Sequence, residues 1–153
     1  LIMIWLNKIV LLEKTIQDNP FESSFFGWYD AGYAEFRETK PPSYMWPSQD
    51  IFYANTDRVW VSKTPSACHE NDFNSCPIGN LAGHKNPLMR FIHSYKETCR
   101  EYLSGKYGRV VCSDQDIYAR VLEKEPDLFL DMNSNDISSG KQLTQGEYNT
   151  WFW

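Results

Sequence analysis

Several features common in proteins of known chemistry are missing from this chain of 153 residues. No apolar run approaches the ~20 residues a membrane span needs; Leu1–Leu6 is far too short and leads into a helical pattern. The same N-terminal stretch lacks the basic region and small-residue cleavage site of a signal peptide. There is no Asn-x-Ser/Thr acceptor, which leaves nothing to favour secretion. Basic residues are outnumbered, with 15 Lys and Arg against 20 Asp and Glu and a net charge of −5, and this argues against a general nucleic-acid binder. Neither a GxGxxG nor a P-loop pattern occurs, and no motif supports serine or cysteine nucleophile chemistry. The four cysteines form no C-x2-C pair.

Aromatic residues, by contrast, are abundant. Six Trp, nine Tyr and nine Phe within a hydrophobic content of 42% are enough for a sizeable core in one domain. Trp5, Ile9, Leu12 and Ile16 recur at helical spacing, and Asn19-Pro20 closes that helix. Lys8 lies at the edge of the stripe, where it either reaches an anionic ligand or lays its stem on the core with its charge in water, the commoner arrangement. Phe25–Tyr29 is a short apolar run with one glycine, which predicts a strand buried on both faces. It stops at Asp30, and Gly32 allows a sharp turn. Asp30 either caps that turn or presents a carboxylate at the strand's carboxyl end, where open α/β sheets bind ligands; the cap is the commoner use.

The segment 33–47 reads as an extended, aromatic-bearing loop. Ile51–Tyr53 and Val59–Val61 read as short strands. Residues 63–80 read as a polar, turn-rich loop containing Cys68, His69 and Cys76. With His84 these are zinc-ligand residue types, but a surface loop with a Cys68–Cys76 bridge fits the spacing better. Gly79 and Gly83 flank small and apolar residues, as where the backbone closely approaches another group. Asn86 is placed as an N-cap with Pro87 at the first helical position, and Leu88, Phe91, Ile92, Tyr95, Cys99 and Tyr102 as the buried helix face. His93 falls one residue off that stripe. Ser113 and Asp116 form a capping box for a helix whose inner face is Ile117, Tyr118, Val121 and Leu122. Asp127–Leu130 reads as a last strand. The alternation of elements predicts a mixed α/β domain.

Trp5-Leu6-Asn7-Lys8, Asn19-Pro20-Phe21, Trp28-Tyr29-Asp30-Ala31-Gly32, the later glycines, Asp114-Gln115 and Pro126-Asp127-Leu128-Phe129 occur in an order that resembles the HtrL/YibB-type proteins over Trp5 to Phe129. That family in turn resembles GT-A-fold (nucleotide-diphospho-sugar) glycosyltransferases and is associated with polysaccharide biosynthesis. The resemblance implies a GT-A-like mixed sheet flanked by helices over residues 1–153, expected to be a partial domain without its N-terminal nucleotide-binding strands. It implies a nucleotide sugar as donor and a glycan or other hydroxyl compound as acceptor. Lys8, Asp30, Gly32, Gly79 and Gly83 would bind the donor, with Lys8 at its phosphates, and Asp114 and Gln115 would contact the sugar. Asp114 or Asp116 would act as general base in an inverting reaction. Mn²⁺ or Mg²⁺ would sit at Asp30; Gly32 stands where the second Asp of an Asp-x-Asp pair would be, leaving one carboxylate for an ion that prefers several oxygen ligands. Two rival readings are a non-catalytic carbohydrate-binding or interaction protein and a glycoside hydrolase using Asp30 and Asp114.

Overall fold

The computed structural model describes residues 2–29, 53–64, 76–108 and 114–131. The elements run α1 (Ile2–Asp18), β1 (Phe25–Trp28), β2 (Val59–Thr64), β3 (Cys76–His84), α2 (Lys85–Leu103), α3 (Asp114–Lys124), a 3-10 turn (Pro126–Leu128) and β4 (Phe129–Asp131). The strands form one sheet in the order β1-β3-β2-β4. β3 is antiparallel to both β1 and β2, whereas β4 is parallel to β2. β1, β2 and β4 therefore point the same way and end on one edge. The register places Trp28, Leu81, Val61 and Asp131 in one row across that edge.

Alternation along the strands separates two faces. Val59, Val61, Leu81 and Phe129 join the helices in the main core, with Phe26 and Trp28 packed against it. Trp60, Ala82 and Leu130, one residue out of step, are also buried but lie outside that cluster. Trp60 stacks on Phe25 at 5.9 Å and donates its indole N–H to the Asn55 carbonyl at 3.1 Å.

The helices bury the faces their sequence periodicity marks. Ile9, Leu12 and Ile16 of α1, Leu88, Phe91, Ile92, Tyr95 and Tyr102 of α2, and Ile117, Tyr118 and Val121 of α3 make one cluster with the sheet. Phe91 is its aromatic centre, stacked on Tyr118 at 5.4 Å and edge-on to Tyr95 and Phe129 at 5.9 and 5.7 Å. Full burial of such a ring contributes about 1.5–3 kcal/mol. α1 ends as expected: Asn19 takes a positive φ of 32° and its amide bonds the Thr15 carbonyl. Its side chain then exchanges two hydrogen bonds with the Ser23 backbone, which turns the chain into β1. Polar ties join the helices at their rims: Lys96 with Glu13, Arg90 and Ser94 with Glu125, and Lys124 with Glu101. Exposed pairs of this kind contribute little each.

Several elements differ from the sequence expectation. β1 is an edge strand of intermediate burial with Gly27 exposed, because β3 pairs with it along one side and takes the central place. Tyr53 and Ala54 are helical and lead into a turn; the rest of the expected strand over 51–53 lies outside the described residues. Residues 76–80, read as loop, are the first half of β3, paired with β2 through an irregularity between Val61 and Lys63. Pro77 and Gly79 speak for a turn locally, and pairing with neighbouring strands overrides them. α2 starts two residues earlier than expected. His84 is its N-cap, with Nδ1 accepting from the Asn86 amide at 3.4 Å, so Pro87 falls within the first turn, where its missing N–H costs no hydrogen bond. Asp127 and Leu128, the first half of the expected last strand, belong to the 3-10 turn (Pro126–Leu128) that feeds β4.

Candidate functional site

Short connections bring the chain back on itself between α1 and β1 and between α3 and β4. That directs the N-terminal halves of both helices, with Lys8 in the second turn of α1 and Asp114 at the first residue of α3, toward the edge where β1, β2 and β4 end. Lys8 and Asp114, distant in sequence, meet there. Lys8 Nζ lies 3.3 Å from Asp114 Oδ2, and their side chains are only 13% and 9% exposed. The pair is close enough for charge attraction, but Oδ2 has no aligned hydrogen bond. Asp114 Oδ1 accepts from the Gln115 amide at 3.1 Å, so the carboxylate is held at the start of α3, where the helix dipole favours negative charge. An intact buried pair adds little net stability, whereas removing one partner strands the other's charge and costs on the order of 3–5 kcal/mol.

Tyr95 completes the surroundings. Its hydroxyl is buried without a hydrogen-bond partner, and its ring lies edge-on to Tyr118 at 5.4 Å. Burial first, then the nearby Tyr118, Cys99 and Asp114, raise the phenol's pKa beyond the ordinary tyrosine range. Tyr95 stays neutral at any physiological pH. Sequence reasoning gave Tyr95 only a core role; its place in the apolar stripe of α2 carries no signal that its hydroxyl neighbours a charged group.

The other expected site residues fall as follows. Gln115 and Asp116 are half-buried in the first turn of α3, beside Asp114. Asp30 and Gly32 lie outside the described residues; the last described residue before Asp30 is Tyr29, which directly follows β1. Gly79 belongs to β3. Gly83 does meet a close backbone approach, and the approaching group is β2: a Cβ there would sit 2.9 Å from the Arg58 carbonyl oxygen and 3.5 Å from Val59 Cα. The stretch that carries both glycines is therefore a strand, and at Gly83 the space is taken by protein. His93 is exposed and lies 3.4 Å from Glu97, one helical turn on. Of the zinc-type residues, His84 caps α2, whereas Cys68 and His69 lie outside the described residues.

Among the described residues no group of three His, Cys, Asp or Glu side chains could hold a metal ion. Among the same residues no helix is long and apolar enough to cross a membrane. The fold and site thus define a mixed α/β protein with a buried Lys–Asp pair near the carboxyl edge of its co-directed strands. Comparison with family models, with curated proteins and with solved structures finds no match.

Proposed function

We propose that this chain is a glycosyltransferase-like domain of the HtrL/YibB type, which moves a sugar from a nucleotide-diphosphate donor to a glycan or other hydroxyl acceptor. One observation supports this reading above the others. Lys8 and Asp114, singled out separately from two distant motifs, come together with Gln115; the chain reversals into β1 and β4 turn both helices toward the carboxyl ends of those strands, the side on which open α/β sheets bind ligands. In this reading Asp114 and Gln115 face the sugar hydroxyls. Asp116, or Asp114 itself, takes the acceptor proton. Asp30, two residues beyond β1 in the sequence, is assigned to the donor, and Mn²⁺ or Mg²⁺ belongs to the proposal only through it. The catalytic work assigned to the protein is orientation of donor and acceptor, with electrostatic stabilisation of the leaving diphosphate.

The test is release of free nucleoside diphosphate from a panel of nucleotide sugars, with and without Mn²⁺, by the wild type and by Asp30→Asn and Asp114→Asn. The expected result is release by the wild type and its loss in both variants. Silence of folded wild-type protein across the panel sinks the enzyme reading and leaves the carbohydrate-binding alternative, which a glycan array then examines.

A further inference from the structure

We infer that Lys8 is a positioning residue for Asp114 and does not itself hold the donor's phosphates; this rests on the glycosyltransferase reading. The ammonium lies 3.3 Å from Asp114 Oδ2, and both side chains are largely withdrawn from water. To bind a diphosphate, Lys8 has to leave a carboxylate that is itself nine-tenths buried or share its single charge between two anions. The first choice strands the Asp114 charge in a poorly solvated place. The second brings the diphosphate against that carboxylate, and like charges repel there with little water to screen them. Neither cost arises if Lys8 stays where it is.

In that place Lys8 fixes the orientation of Asp114. The Gln115 amide holds Oδ1 by a hydrogen bond, and the Lys8 charge attracts Oδ2 from α1, so the carboxylate is drawn from two sides. A carboxylate that must meet a sugar hydroxyl in one orientation gains from being held at both oxygens, because misplacement by a fraction of an ångström lowers the rate without weakening binding of the rest of the donor. The neutral hydroxyl of Tyr95 lies in the same surroundings and cannot replace the charge of Lys8. Lys8 thus acts on the chemistry through Asp114, while the diphosphate is held elsewhere.

The experiment is steady-state diphosphate release with the preferred donor from the panel, on Lys8→Met, Lys8→Arg, Asp114→Asn and the double variant Lys8→Met/Asp114→Asn. Each is normalised to the folded fraction by near-UV circular dichroism. A positioning role lowers kcat of Lys8→Met by about tenfold or more with the donor KM within roughly twofold of wild type. Lys8→Arg recovers most of the lost rate. The double variant binds the donor as tightly as Asp114→Asn alone, because Lys8 acts only through Asp114. If Lys8→Met does not fold, the double variant, which leaves neither charge stranded, still reports through its donor Kd, measured by isothermal titration calorimetry against that of Asp114→Asn; a Kd raised about tenfold overturns the inference. A donor KM raised about tenfold with kcat retained places Lys8 on the phosphates and overturns this inference alone. A wild type silent with every donor overturns the glycosyltransferase reading and this inference with it.

Discussion

Gly83→Ala is the sharpest test of what the glycines of β3 are for. An added Cβ would lie 2.9 Å from the Arg58 carbonyl oxygen, 3.5 Å from Val59 Cα and 3.7 Å from Leu88 Cγ. The first of these is backbone at the entrance to β2, so no side chain can swing aside. Either β2 or β3 has to shift by roughly 0.5–1 Å to regain ordinary van der Waals separation. Gly83 also pairs with both Phe26 and Val59, so a shift disturbs two ladders at once. Overpacking of this kind costs about 1–3 kcal/mol. Replacing glycine by alanine returns about 0.4–1 kcal/mol by restricting the unfolded chain, which leaves a net loss of roughly 1–2 kcal/mol. For a domain of this size that lowers Tm by about 2–8 °C. Equilibrium urea unfolding followed by tryptophan fluorescence measures it, with the midpoint falling and the m-value unchanged. A variant as stable as the wild type would refute the packing argument. If donor binding alone were lost, Gly83 would regain the ligand-facing role that its sequence context suggests.

Phe91→Ala removes the ring on which Tyr95, Tyr118 and Phe129 pack and is expected to cost about 3–5 kcal/mol, read as a lower urea midpoint. Glu101 has its pKa lowered from 4.5 to about 2 by hydrogen bonds from Lys106, Lys124 and Tyr107. A depressed folded-state pKa contributes stability that is present above pH 4.5 and lost as the pH falls toward 2; the Tm gap between wild type and Glu101→Gln should therefore be full at neutral pH and close across that window. Burial pushes the Cys99 thiol up to about 11. The peptide carrying it should resist iodoacetamide at pH 8 in the native protein and react once unfolded, as mass spectrometry would show.

The sequence by itself determined the helices and their inner faces. Ile9, Leu12 and Ile16, then Leu88, Phe91, Ile92, Tyr95 and Tyr102, then Ile117, Tyr118 and Val121 were legible as stripes and are buried. Amphipathic periodicity is a local signal that survives without knowledge of partners. Val59–Val61 was legible as a strand for a related reason, its β-branched and aromatic run. The polar residues Lys8, Asp114 and Gln115 were also legible, as members of motifs, though not their relation to one another.

The tertiary structure alone decided the rest. Cys76–His84 carries Pro77, Gly79 and Gly83 and looks like turn sequence, yet its middle and end pair with strands on both sides; strand identity there is a property of the neighbours. The same pairing left β1 at the edge, since an apolar run states that burial is wanted and not which strand will supply it. The pairing of Lys8 with Asp114 arises because two reversing connections bring the second turn of α1 against the start of α3. Charge attraction has no sequence period, so only the folded chain could show that these two groups share one place.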